Sequence, residues 1–286
     1  MDIYNAKYIK ELISRHGFRF SKAMGQNFLT AGWVAQSLAE ESGIDSNFGV
    51  LEIGPGIGAL TIQLCPLAAK VVSVELDGAL LPILQETLAD FDNVEIIPGN
   101  ILKLDIPGLL REKFDGLRLA VCANLPYNIT TPVLSALIDT GMFESITVMV
   151  QREVARRICA KAGTADYGAF TVYAAYHTHP EILFDVEPGC FMPPPKVHSS
   201  VITMKRREAP TEVKDKQLFF RVVRASFSQR RKTLVNSLSG TFGESLTKQE
   251  LTDIVTSCGF DERVRGETLD ILGFAAIAAA IGARLK

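Results

Sequence analysis

Cysteine and histidine are scarce in this chain of 286 residues, and neither is arranged for metal chemistry. The five cysteines, Cys65, Cys122, Cys159, Cys190 and Cys258, are widely scattered and no two form a C-x-x-C pair, so a zinc site does not fit and a reducing cytoplasm does. Of the four histidines only His177 and His179 are close together, so no metal set is expected. Long apolar runs are missing as well. The most apolar segment, Gly273 to Ala283, is too short and too Ala-rich to span a bilayer and reads as a helix packed against the body. The amino terminus lacks the apolar stretch of a signal peptide, so no membrane role is expected.

What is present suits a large folded core. Hydrophobic residues make up 47% and charged residues 22%, consistent with one large domain, a smaller appendage and, most simply, a monomer. The net charge of −2 conceals an uneven distribution: residues 1–150 carry 10 basic and 17 acidic side chains, residues 151–240 carry 15 and 8, and residues 241–286 carry 5 and 7. A surface for a polyanion is therefore expected mainly from the second segment. Lys7, Lys10, Arg15, Arg19 and Lys22 form a basic N-terminal arm that can join it.

Val50-Leu51-Glu52-Ile53 reads as a strand running into Gly54-Pro55-Gly56-Ile57-Gly58, with apolar positions beyond at helical spacing. Gly54 and Gly56 let the backbone approach a ligand closely. The next strand, Lys70 to Val74, ends in Glu75, 21 residues after Gly54, where a carboxylate can hold ribose hydroxyls, with Leu76 beside it. A third strand, Asn93 to Ile97, ends near Asn100 and Ile101. Asn100 can bond an adenine amine and Ile101 can pack on the ring, although a plain turn accounts for the pair almost equally well. Gly54, Gly56 and Ala59 also satisfy G-x-G-x-x-[GA], so a nicotinamide dinucleotide stays open as the cofactor of this turn.

Asn124-Leu125-Pro126-Tyr127 follows the apolar run Leu117 to Ala123. The exocyclic amine of a nucleobase is a poor nucleophile because its lone pair is delocalised into the ring. The Asn124 side-chain oxygen and the Leu125 carbonyl can accept its hydrogens, Pro126 stiffens the loop, and Tyr127 offers a face for a flipped base. The bland alternative is a turn that ends a strand. S-adenosylmethionine is the cofactor that uses both this loop and the glycine turn. Further on, Arg221, Arg224, Arg230, Arg231 and Lys232 read as the positive face of a helix whose buried stripe is Phe219, Phe220, Val223 and Phe227, and that face should meet phosphate. Phe191 precedes Pro193-Pro194-Pro195, a stiff extended ledge on which an aromatic usually packs.

Taken in order, Lys22 to Leu29, Leu51 to Gly56 with Val74 to Asp77, Asn124 to Ile129, Phe191 to Val201 and Ala225 to Thr233 resemble the ribosomal RNA adenine N6,N6-dimethyltransferases over nearly the whole chain. Cys258 to Leu269 is similar to their small-subunit (16S) branch rather than to the antibiotic-resistance enzymes of the large subunit (23S), which share the Asn-x-Pro-Tyr device. The resemblance implies a doubly wound, Rossmann-like α/β methyltransferase domain over residues 1–205 and a small helical RNA-binding domain over 206–286, linked near Lys205 to Pro210, with RNA between them. It implies that Asn27 and Leu29 close over S-adenosylmethionine, with Gly54, Glu75, Asn100 and Asn124 completing its site. Tyr127 and Phe191 would hold the target adenine. The implied reaction is dimethylation of two adjacent adenosines near the 3′ end of 16S rRNA, in small-subunit rRNA or pre-30S particles. Asn100 departs from the family's usual Asp, but its amide oxygen still accepts a hydrogen bond. A ribosome assembly factor whose methylation is dispensable and a dinucleotide-dependent oxidoreductase are the other classes left open.

Overall fold

A computed structural model describes residues 2–21, 24–208 and 213–285. Lys22 and Ala23 of the first family-like block, and Ala209 and Pro210 of the expected linker, lie outside the described residues. The chain divides into two compact units, Met1–Ala155 with Glu181–Arg206, and Arg156–Pro180 with Arg207–Lys286.

In the first unit the strands are β1 (Phe28–Leu29), β2 (Phe48–Ile53), β3 (Lys70–Glu75), β4 (Val94–Pro98), β5 (Arg118–Asn124), β6 (Ser145–Gln151), β7 (Thr178–Val186), β8 (Phe191–Met192) and β9 (Ser199–Arg206), the first residues of β7 belonging to the other unit. Seven of them form one sheet in the order β4-β3-β2-β5-β6-β9-β7. Strands β2 to β6 pair in parallel, whereas β9 runs antiparallel to β6, from Ser145↔Lys205 to Gln151↔Ser199. Every residue of β2 is buried, as a central strand covered on both faces requires. Counted along the sheet alone, the order is 3-2-1-4-5-7-6. It differs from the 3-2-1-4-5-6 of dinucleotide folds by the antiparallel strand wedged in before the last. The order reverses between β2 and β5, and ligands of such sheets bind at the carboxyl ends of the strands beside that point.

Helices α1 (Ala6–Arg15) and α2 (Gly32–Glu41) pack in the N-terminal arm. Asn5 starts α1 by accepting from the amides of Lys7 and Tyr8, and Ile9 and Leu12, one turn apart, are its fully buried face. Glu86 accepts from Arg15 and lies 2.7 Å from His16 Nε2, pinning the end of α1. The Tyr4 hydroxyl donates to the Ala59 carbonyl at 2.8 Å, which ties the arm to the glycine turn.

The second unit is helical, with a core of Phe219, Phe242, Phe274 and Ile277 among others. Tyr167, Val172 and Tyr176 belong to that core too. Residues 156–180 therefore group with the C-terminal helices, where a single boundary at 205 would leave them with the sheet; their apolar side chains find partners there. The apolar stretch near the C-terminus forms the helix Ile271–Arg284, which buries Phe274, Ile277, Ala278 and Ile281 at helical spacing. Among the described residues no helix is long and apolar enough to cross a membrane, and no group of three or more His, Cys, Asp or Glu could hold a metal ion.

Candidate active site

Gly54 and Gly56 follow β2 with φ of 68° and 62°, a left-handed backbone that favours glycine. A Cβ at Gly54 would sit 3.7 Å from the Pro126 ring, and one at Gly56 would press on the Phe28 ring at 3.3 Å. These two glycines therefore bring the turn after β2, the loop after β5 and the N-terminal arm against one another. The pocket they enclose spans about 1160 Å³, open solvent at its mouth included. It is lined by Asn27 and Leu29 from the arm, Gly54 and Gly56, Glu75 and Leu76, Asn100 and Ile101, and Asn124, Leu125 and Tyr127.

Glu75 is the best-defined polar group of the pocket. Its Oε1 accepts the Asp77 amide at 2.8 Å and its Oε2 the Gly56 amide at 3.2 Å, so the end of β3 is stitched to the glycine turn. Burial pushes its carboxyl above the ordinary value, partly offset by those amides. Asn100 accepts the Leu102 amide at 3.0 Å and so caps the short turn Ile101–Lys103, leaving its oxygen one further lone pair. Leu125 is buried, and its amide donates to the Met149 carbonyl at 3.1 Å, which anchors the loop to β6. Asn27 Nδ2 donates to the Gly25 carbonyl at 3.0 Å.

Phe191 does not join this lining. It is 4% exposed, its backbone pairs with Leu29 in the two-stranded β1–β8 ribbon, and its ring belongs to the core of the first unit. The two-ring clamp is thus not assembled here; Tyr127 alone of the pair faces the pocket. The basic run is also not one helical face. The helix Lys216–Phe227 carries Arg221 and Arg224 and ends with Ser228 returning its hydroxyl to the Ala225 carbonyl. Arg230, Arg231 and Lys232 follow in a turn before Thr233 caps the next helix. Phe219 and Val223 are buried as expected, but Phe220 and Phe227 only partly so. Arg230 donates to the carbonyls of Ala165 and Tyr167, and Arg221 lies over the Phe242 ring and bonds the Thr241 carbonyl. Arg224, Arg231 and Lys232 are exposed.

Two further residues stand out that the motifs did not single out. Glu52, fully buried in β2 and lining the pocket, accepts from Ser73 at 2.6 Å and Thr61 at 2.8 Å, and burial pushes its carboxyl up to about 7. Gln26 donates to Asp77 at 2.7 Å while accepting the Ser21 amide at 2.8 Å, a strap from the arm to the loop after β3. Polar residues inside or beside a recognisable motif were the available signal; their partners lie too far along the chain to be read from it. Among the described residues the lining contains two carboxylates and no Lys, Arg or His.

A twisted sheet with a glycine-bounded pocket at its switch point defines a Rossmann-like nucleotide-cofactor domain. Two solved structures share this fold: a dimethyladenosine transferase from Plasmodium falciparum (24% identity, 90% of this chain and 98% of that one, TM-score 0.76) and the 23S rRNA methyltransferase ErmE (24% identity, 90% and 100%, TM-score 0.70). The chain belongs to the ribosomal RNA adenine dimethylase family, whose model matches residues 17–275. It is 44% identical over 284 residues, covering 98% of this chain and 97% of the relative, to the ribosomal RNA small subunit methyltransferase A of Geobacillus thermodenitrificans.

Proposed function

We propose that this protein transfers methyl groups from S-adenosylmethionine to the N6 amino groups of two adjacent adenosines near the 3′ end of small-subunit rRNA, acting as a monomer on pre-30S particles in the cytoplasm. The observation that carries the reading is the convergence of the Gly54 turn and the Asn124–Tyr127 loop on one pocket. The pocket's chemistry suits the cofactor: left-handed glycines at its edge, a buried carboxylate at the end of β3 for ribose hydroxyls, and, among the described lining residues, no basic side chain to repel a sulfonium.

When bound, S-adenosylmethionine supplies an electrophilic methyl group. Glu75 then accepts from the ribose hydroxyls, Asn100 from the adenine amine of the cofactor, and Ile101 and Leu76 pack beside them. Asn27 and Leu29 close the pocket from the arm. On the substrate side, the Asn124 oxygen and the Leu125 carbonyl accept the two N6 hydrogens and draw the lone pair out of the ring, while the Tyr127 ring stacks on the base. The methylated nitrogen loses a proton to solvent. A strong general base is not needed, because orientation of a reactive methyl group supplies much of the acceleration. Arg224, Arg231 and Lys232 meet phosphate, with Arg221 and Arg230 held closer to their own unit by the carbonyls they bond.

The fold alone does not separate the small-subunit reading from the large-subunit one, since the 23S rRNA methyltransferase ErmE shares it over 90% of this chain. Sequence favours the former, with 44% identity against 24%. The test is to map methylated adenosines in rRNA from cells lacking the gene and carrying either the parent or Asn124→Ala. Dimethylation of small-subunit rRNA restored by the parent alone is the expected result. Methylation of 23S rRNA instead, or full restoration by Asn124→Ala, would overturn the assignment.

A further inference from the structure

Strand β9 opens with two serines whose side chains point to opposite faces, as strand alternation requires. Ser200 Oγ lies 2.5 Å from Asp185, on β7. Ser199 Oγ lies 2.7 Å from the phenol oxygen of Tyr127, 72 residues earlier in the chain. The two partners are anchored very differently. Ser199 is completely buried, pairs with Gln151 in the β6–β9 ladder, and follows His198, whose carbonyl accepts the Arg152 amide at 3.0 Å. Tyr127 sits outside the ladder, at the start of a turn in which the Ile129 amide donates to the Pro126 carbonyl at 3.2 Å. Backbone attachment leaves its ring two rotatable bonds, and the bond to Ser199 is a second attachment at the far end of that ring. Burial raises the Tyr127 phenol above its ordinary value, so the group stays a neutral hydrogen-bonding hydroxyl.

We propose that Ser199 is a positioning residue for methyl transfer: its hydroxyl fixes the plane of the Tyr127 ring on which the target adenine stacks. This rests on the function proposed above, in which Tyr127 touches the base. A stacked base inherits the orientation of its platform, and the in-line approach of N6 to a methyl group is sensitive to small displacements of that platform. Ser199 itself touches neither base nor cofactor in this scheme.

The test is a double-mutant cycle of Ser199→Ala, Tyr127→Phe and the pair, read by single-turnover methyl transfer on unmethylated small-subunit particles. Cofactor binding and thermal melting are measured alongside. Tyr127→Phe keeps the ring and removes only its hydroxyl. Each single variant should slow transfer on the order of five- to tenfold, the effect of one neutral hydrogen bond, with the dissociation constant for S-adenosylmethionine unchanged. The double variant should be no slower than either single one, because one bond cannot be lost twice. Multiplying effects, or a parent rate in Ser199→Ala, would overturn the proposal. Should Ser199→Ala melt below the assay temperature, Tyr127→Phe decides alone, and a parent rate there overturns it equally. Failure of the underlying reading has a different signature: a parent protein that leaves small-subunit particles unmethylated, or Tyr127→Ala that methylates them at the parent rate.

Discussion

Replacing Glu75 with Ala removes one acceptor from two main-chain amides and, on the proposed reading, from the ribose hydroxyls of the cofactor. Without ligand, the Asp77 and Gly56 amides lose partners at 2.8 and 3.2 Å. Leaving buried donors unsatisfied costs about 1–3 kcal/mol each, and these two part-buried amides belong toward the low end, the longer Gly56 bond most of all. Unliganded stability should therefore fall by about 2–4 kcal/mol, with water at the pocket mouth offsetting part of it. Loss of the ribose contacts should weaken S-adenosylmethionine binding by roughly 10- to 150-fold, the equivalent of about 1.5–3 kcal/mol for a hydrogen bond to a charged group. Glu75→Gln tests the geometry more sharply. A carboxamide has one acceptor oxygen and an NH₂ group, so it can satisfy one amide only by presenting donors to the other. Gln should thus behave more like Ala than like the parent. Titration calorimetry gives the affinities and urea unfolding gives the stabilities. Parent values for both variants in both assays would refute the reasoning; parent affinity with reduced stability would confine Glu75 to the fold.

Glu52→Gln should flatten the pH dependence of stability. The folded protein holds this proton up to about pH 7 while the unfolded chain releases it near 4.5, so the group's contribution is full below 4.5, falls by about 3 kcal/mol up to 7 and is level above. Urea unfolding at several pH values should show that decline in the parent, and an equal slope in the variant would place the buried acid elsewhere. Phe191→Ala should cost about 3–5 kcal/mol of stability, as truncation of a core ring does, and an unchanged melting temperature with slow transfer would return the ring to the substrate. Arg231→Ala with Lys232→Ala should weaken RNA binding and flatten its dependence on salt concentration, while cofactor affinity stays constant. Parent binding at two salt concentrations would move the phosphate contacts off this turn.

The chemistry of the pocket was legible from local sequence because each motif needs its neighbours only. Left-handed turns after a buried strand demand glycine at 54 and 56, a carboxylate closing the next strand lands at the same sheet edge, and Asn124 to Tyr127 follows a third such strand. Parallel strands share one carboxyl edge, so residues that end them converge whatever lies between. Interactions across the chain were decided by the tertiary structure alone. The sheet draws the partners of Glu52, Gln26 and Tyr127, namely Ser73, Asp77 and Ser199, to hydrogen-bonding distance from 21, 51 and 72 residues away. Burial behaves likewise: Phe191 reads as a packing ring or a stacking ring until its strand pairs with Leu29 and closes the ring into the core. The C-terminal core takes Tyr167, Val172 and Tyr176 from a segment interrupted by sheet strands, because apolar surface is buried where space and neighbours allow, not where the chain is contiguous.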